Sequence, residues 1–108
     1  MKFDRELMKG HLKTIILAVL SDGPCHAYGL IGRIEDKSLK VFSLPEGTIY
    51  PTLHKLEKLG LISSEQDQSK SGRKIRNYQL TPKGEKVLED NKKEWDYLSR
   101  AMKLILEN

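Results

Sequence analysis

The sequence predicts a mainly α-helical domain that carries one small β hairpin and ends in a single long helix. Three observations predict it. Apolar residues recur at helical spacing in three short segments before residue 60. Period-two alternation replaces that spacing near residues 75–80, and helical spacing then returns without a break to the end of the chain. The first short segment is Leu12, Ile15, Ile16, Val19 and Leu20, at i, i+3, i+4, i+7 and i+8. Ser21-Asp22-Gly23-Pro24 stops it, with a glycine for a left-handed cap and a proline that cannot continue the helix. Ala27, Leu30, Ile31 and Ile34 carry a second helix to about Lys37. A connector, Ser38 to Phe42, leads to Ser43-Leu44-Pro45-Glu46, whose S-x-x-E spacing predicts a capping box at the head of a third helix. That helix buries Ile49, Leu53 and Leu56, runs to Leu59 and ends at Gly60. Pro51 falls in its first turn if it starts near Gly47, and kinks it if it starts at Leu44. Either start leaves the amino end irregular.

Leu61 to Glu65 reads as one strand and Ile75 to Leu80 as another, with Tyr78 and Leu80 alternating against Asn77 and Gln79. The polar, glycine-containing stretch Asp67 to Gly72 is the hairpin tip. Thr81-Pro82 with Glu85 opens the last helix, with Pro82 at its first position. Three helices, a hairpin and a helix make the winged helix-turn-helix layout. In it the third helix enters a DNA major groove and the hairpin reaches over the adjacent backbone. The layout divides the chain into a reading domain, residues 1–82, and a C-terminal dimerisation helix, residues 83–108.

Composition narrows the function classes. The chain has 108 residues, enough for one domain, with 38% hydrophobic and 31% charged residues. Nothing approaches 18 consecutive apolar residues, so a membrane span is not expected, and the first ten residues lack a signal-peptide core, so the expected location is cytoplasmic. Cys25 is the single cysteine, which leaves no intrachain disulfide. Together with His11, His26 and His54 it offers no metal-ligand spacing, so no metal and no cofactor are expected. No G-x-S-x-G, P-loop or G-x-G-x-x-G segment occurs, and enzymatic activity is not expected. A chain this small, without disulfide or metal, points to a second subunit.

Charge locates the candidate interface. The net charge of +4 arises from 19 Lys and Arg against 15 Asp and Glu. Lys70, Arg73, Lys74 and Arg76 cluster with no acid among them. These four are the candidate phosphate contacts, with Arg73 the best placed for minor-groove insertion; a solvated turn is the plain alternative. On the third helix, the face away from the buried stripe offers Thr48, Thr52 and Lys55, flanked by Tyr50 and His54, a set suited to phosphates and base edges. An ordinary solvated face is the alternative there, and Tyr50 is equally readable as partly core.

The last helix, residues 82–107, spans roughly 39 Å and outreaches a domain core of about 13 Å radius. Its stripe of Leu88, Asn91, Trp95, Leu98, Met102 and Ile105 steps by three and four throughout. Such a stripe asks for cover. The preferred cover is a homodimer, the helix packing on its twin and on the amino-terminal segment (Phe3, Leu7) of the other copy, with Asn91 setting register. The alternative is that the stripe folds back on the chain's own first helix. In the homodimer Trp95 is an inter-subunit packing residue, or one of two tryptophans flanking a cavity for a planar hydrophobic molecule.

The residues also resemble a known family. Gly47-Thr48-Ile49-Tyr50-Pro51 through Leu53, Leu56-Glu57 and Gly60-Leu61-Ile62 belong to the pattern. So do Gly72-Arg73-Lys74, Arg76-Asn77-Tyr78 and Leu80-Thr81-Pro82-Lys83-Gly84, together with Gly10, Leu12, Leu17-Leu20 and Tyr28-Gly29. In these the chain resembles the PadR family of bacterial transcriptional regulators, in its short subfamily with a single C-terminal helix. The resemblance implies a homodimeric repressor of double-stranded DNA with a pseudo-palindromic operator. It further implies groove reading by Thr48 to Lys55, backbone contact by Lys70 to Arg76, and, as in multidrug-responsive members, a planar hydrophobic effector between paired tryptophans placed like Trp95. A different reading of the same layout is a winged-helix protein-interaction module without direct DNA binding, its hairpin holding an acidic partner.

Overall fold

The computed structural model describes residues 10–107. Among these, four helices and a two-stranded sheet follow in the expected order. Helix α1 spans Leu12–Leu20, α2 spans Ala27–Lys37 and α3 spans Glu46–Lys58. Strand β1 is Ile62–Gln68, β2 is Lys74–Leu80, and α4 is Pro82–Leu106. The apolar stripes meet as their spacing requires. Ile16 and Leu17 of α1, Leu30 and Ile34 of α2, and Ile49, Leu53 and Leu56 of α3 close one core, which Ile62 and Leu88 complete. Each such side chain taken fully out of water contributes about 1.5–3 kcal/mol.

The junctions show where local chemistry decides. The capping box expected at Ser43 and Glu46 does not form. Pro45 takes the cap position with an extended backbone, and no side chain caps the helix. A proline drives the residue before it out of the α region, so Ser43 and Leu44 cannot join the helix. Leu44 instead enters the core, and Ser43 Oγ donates to Glu35 Oε1 at 2.9 Å. With Glu46 as the first helical residue, Pro51 lies in the second turn, between the two alternatives the sequence allowed. Having no N–H, it leaves the Gly47 carbonyl without its usual intrahelical donor. The turn from α2 holds Leu39 and Lys40 both in left-handed backbone, with φ of 52° and 65°. Lys40 N–H there donates to the Glu35 carbonyl at 2.7 Å.

Helix α3 ends in a Schellman motif. Gly60, at φ +76°, lets its N–H reach the Glu57 carbonyl and the Leu61 N–H reach that of Leu56. The hairpin is longer than expected: Asp67 and Gln68 pair in β1 opposite Ile75 and Lys74. The tip shrinks to Lys70-Ser71-Gly72 because Gly72 adopts φ +82°, closing a three-residue turn between Ser69 and Arg73. Cys25 pairs with Tyr78 along the outer edge of β2, through N–H to carbonyl bonds of 3.1 and 2.9 Å.

Thr81 caps α4, its Oγ1 accepting from Gly84 N–H at 3.0 Å. The stripe on α4 then divides. Its first half packs against α1, with Leu88 only 2% exposed and Asn91 buried. For this half the fold-back alternative holds, and the expectation of Leu88 as a residue left for a second copy is corrected, since its own core already covers it. The second half projects beyond the core, which gives the molecule its 57 Å long dimension. Trp95 is 53% exposed, and Leu98, Met102 and Ile105 are exposed with it.

Candidate nucleic-acid interface

Helices α2 and α3 meet the hairpin around an open cleft of about 510 Å³. His26, Ala27 and Tyr28 at the amino end of α2 form one wall, Tyr50 of α3 a second, and Arg73, Lys74, Arg76 and Tyr78 of the hairpin a third. The arrangement follows from the pleat. Tyr78 faces Ser64 across the ladder, and Arg76 and Lys74 follow it at two-residue steps toward the tip. One hairpin face thus passes from the core, through the buried Tyr78, to two exposed cations. The backbone pairing at Cys25 brings the start of α2 against this face.

Of the residues expected to contact DNA, the structure brings Tyr50, Arg73, Lys74 and Arg76 together in the cleft. Lys70 stands at the exposed tip, and His54 and Lys55 are exposed farther along α3. Thr48 and Thr52 are half-buried, and Thr52 Oγ1 already donates to the Thr48 carbonyl at 3.0 Å. A hydroxyl so engaged keeps acceptor capacity only. Tyr50, 45% exposed, is not a core residue.

Tyr28 and His26 extend the expected set. Tyr28 is an exposed aromatic lying off the α2 stripe of Ala27, Leu30 and Ile34. Like Tyr50, Tyr28 is an aromatic side chain with no need of a solvated face, and its residue type could have marked it in the sequence. The neighbouring Glu46 carboxylate, as hydrogen-bond acceptor and as charge, raises its phenol above the ordinary range, so Tyr28 stays a neutral donor. His26 Nε2 lies 3.4 Å from Asp67 Oδ2 and links α2 to β1. Asp67 is held below the usual carboxylate range, first by the Gln68 N–H and then by His26. Burial raises the Cys25 and Tyr78 groups behind the cleft, keeping both protonated. Among the described residues no cluster of three or more His, Cys, Asp or Glu is placed to hold a metal ion.

At the far end, Trp95 meets the His11 ring edge-on, with centroids 5.3 Å apart and planes at 81°. Phe3 and Leu7, expected at the same interface, lie outside the described residues. Asn91 Nδ2 is buried with no hydrogen-bond partner among the described residues. Among the described residues no helix is long and apolar enough to cross a membrane.

Comparison with known proteins agrees with this geometry. The profile of the transcriptional regulator PadR-like family matches residues 16–90. The transcriptional regulator Rv3488 of Mycobacterium tuberculosis is 33% identical over 98 residues, covering 91% of this chain and 88% of that protein. Among solved structures, a PadR-like transcriptional regulator from Bacillus cereus superposes with a TM-score of 0.81 at 29% identity, covering 95% of this chain and 98% of its own. A transcriptional regulator from Clostridium thermocellum gives a TM-score of 0.82 at 27% identity, with coverage of 90% and 94%. A basic, aromatic cleft beside an exposed helix face, on a fold shared over most of these chains, places the protein: it belongs to the PadR-like family of transcriptional regulators, as a winged-helix DNA-binding regulator and not an enzyme.

Proposed function

We propose that the chain is a homodimeric, cytoplasmic repressor that binds a pseudo-palindromic operator. Residues 1–82 read the DNA and residues 83–108 hold two copies together. The observation that carries the DNA reading is the cleft itself, where Arg73, Lys74 and Arg76 stand beside Tyr50 and Tyr28. Arginine and lysine on the hairpin grip backbone phosphates, Tyr50, His54 and Lys55 face the groove, and Thr48 and Thr52 accept from base amino groups or water. Two reading helices presented to half-sites about 34 Å apart match one turn of duplex.

Dimerisation is supported by the projecting half of α4. Trp95, Leu98, Met102 and Ile105 expose a continuous apolar edge, with Asn91 at its inner end. Asn91, buried at the inner end of that edge and without a hydrogen-bond partner for Nδ2 among the described residues, is the residue proposed to set register. A planar hydrophobic molecule stacked on Trp95 between the copies shifts operator affinity by its differential affinity for the two crossings of the helices.

The test pairs DNA binding with mass. A gel shift with the DNA upstream of the chain's own coding region is expected to retard, and Arg73→Gln, Lys74→Gln and Arg76→Gln together are expected to weaken it and flatten its salt dependence. Sedimentation at micromolar concentration is expected to give twice the chain mass, and Met102→Glu to halve it. Planar cationic dyes are expected to quench the single tryptophan. A monomeric wild type removes the dimer from the proposal. Unchanged retardation by the triple variant removes the hairpin.

A further inference from the structure

One side chain in the hairpin joins the reading helix to a cation of the wing. Ser64 Oγ lies 2.5 Å from Glu57 Oε2 on α3 and 2.9 Å from Arg76 Nε on β2. The directions of both bonds are fixed by the groups involved. A carboxylate has no proton to give and a guanidinium has no lone pair to offer, so the serine donates to Glu57 and accepts from Arg76. Ser64 lies opposite the buried Tyr78, and Arg76 is its diagonal neighbour on the same face, one step closer to the tip. Neither bond belongs to the strand ladder, and Ser64 is only half-buried, so the core does not require a hydroxyl there.

We propose that Ser64 is a positioning residue for DNA binding, held by Glu57 of the recognition helix and orienting Arg76 toward a backbone phosphate. This rests on the reading of the wing as a phosphate clamp. Holding Arg76 at Nε leaves both terminal nitrogens of the guanidinium for the fork-like contact that arginine makes with phosphate oxygens. An unheld arginine on an exposed strand spreads over many rotamers, and choosing one of them on binding lowers affinity. The other end of the relay is anchored on α3 at Glu57, whose helical neighbour Leu56 and nearby Leu53 are buried in the core. The serine, and the arginine it holds, are therefore referenced to the element that enters the groove.

The test uses the full chain, with a fluorescent mixed-sequence duplex of about 30 base pairs titrated over a salt series, since phosphate contacts require no operator. Arg76→Gln is expected to weaken binding and to lower the salt slope by about one. Threonine and valine have the same shape and both suit a strand, so Ser64→Thr and Ser64→Val differ only in the hydroxyl. Ser64→Thr is expected to bind as the wild type does, and Ser64→Val about fivefold more weakly, the worth of one hydrogen bond. Adding Ser64→Val to Arg76→Gln is expected to cost nothing further, because the residue acts through the arginine. Wild-type affinity in Ser64→Val alongside a weakened Arg76→Gln overturns the proposal and leaves the wing reading intact. So do losses that add in the double variant, and so does a Ser64→Val variant that melts earlier yet binds unchanged below its melt. If Arg76→Gln itself binds like the wild type, the phosphate-clamp reading falls first and the proposal with it.

Discussion

Gly84→Ala tests how tightly the last helix is bolted to the rest of the molecule. A Cβ at Gly84 overlaps the Leu61 carbonyl oxygen and lies 2.8 Å from Leu80 Cδ1. The leucine methyl can turn aside. The carbonyl cannot, because it already accepts the Thr81 N–H at 3.1 Å and belongs to the backbone leaving α3. Overpacking against a rigid partner falls at the upper end of the usual cost, about 3 kcal/mol. Losing the Thr81 bond adds about 1 kcal/mol, and the better helix propensity of alanine returns at most about 1 kcal/mol. The expected net loss is therefore about 3 kcal/mol, or a fall in Tm of about 12–24 °C for a domain of this size. Gly32→Ala is the control. Gly32 sits inside α2, where a Cβ meets nothing beyond its own helix within 4 Å among the described residues, so the same substitution there is expected to stabilise by about 0.5–1 kcal/mol. Thermal unfolding followed by circular dichroism, at fixed protein concentration, reads both. A Gly84→Ala variant within about 4 °C of the wild type refutes the reasoning, because the close approach is then soft.

Two further outcomes concern the cleft. Asp67 titrates below its ordinary value, so the stability it contributes is present above the unfolded carboxyl pKa of about 3.9 and is lost as pH falls through the lower folded value. Amide exchange in β1 is expected to speed up over that acid window in the wild type and not in Asp67→Asn; identical profiles sink the assignment. Cys25, its thiol raised by burial, is expected to react with a disulfide reagent at pH 8 far more slowly in the folded chain than in denaturant. Equal rates show that the α1–α2 turn opens freely.

What the sequence makes legible is what depends on near neighbours. The stripes of α1 and α2 predict their own burial because periodicity is local. Pro82 and the clustered wing cations likewise declare themselves within a few residues. The misreadings have physical causes of the same scale. The S-x-x-E spacing at Ser43 fails because the intervening Pro45 excludes Leu44 from the helix. The turn at Leu39 and Lys40 carries no glycine to announce its two left-handed residues. The site is legible only in halves. Tyr50, Tyr28 and the wing cations stand out by type, yet His26 acquires its place from a pairing that spans 41 residues, and Ser64 from bonds to α3 and across the hairpin. The Cys25–Tyr78 bridge and the Ser64–Glu57 bond leave no periodic trace in either partner. The division of the α4 stripe is equally hidden. A heptad repeat reads the same whether its first half faces α1 or a second chain, and only the size of the core decides.

That division bears on how the proposed dimer transmits a change. The start of α4 is tied to the end of α3 at consecutive backbone carbonyls. Lys83 Nζ donates to Leu59 at 2.9 Å, Thr81 Oγ1 to Gly60 at 2.6 Å, and Thr81 N–H to Leu61, against which Gly84 is packed. Helix α1 then grips the first half of α4 through Leu88, and His11 touches Trp95. A helix held at its root and along its flank cannot pivot alone. When two α4 helices change their crossing, each must carry its own α3 with it as one body. The spacing of the reading helices then follows from the crossing angle, whereas a flexible hinge at residue 81 lets the tails rearrange while the heads stay where they are. In the proposed dimer, the packed glycine at this junction would pass a contact near Trp95 on toward Tyr50.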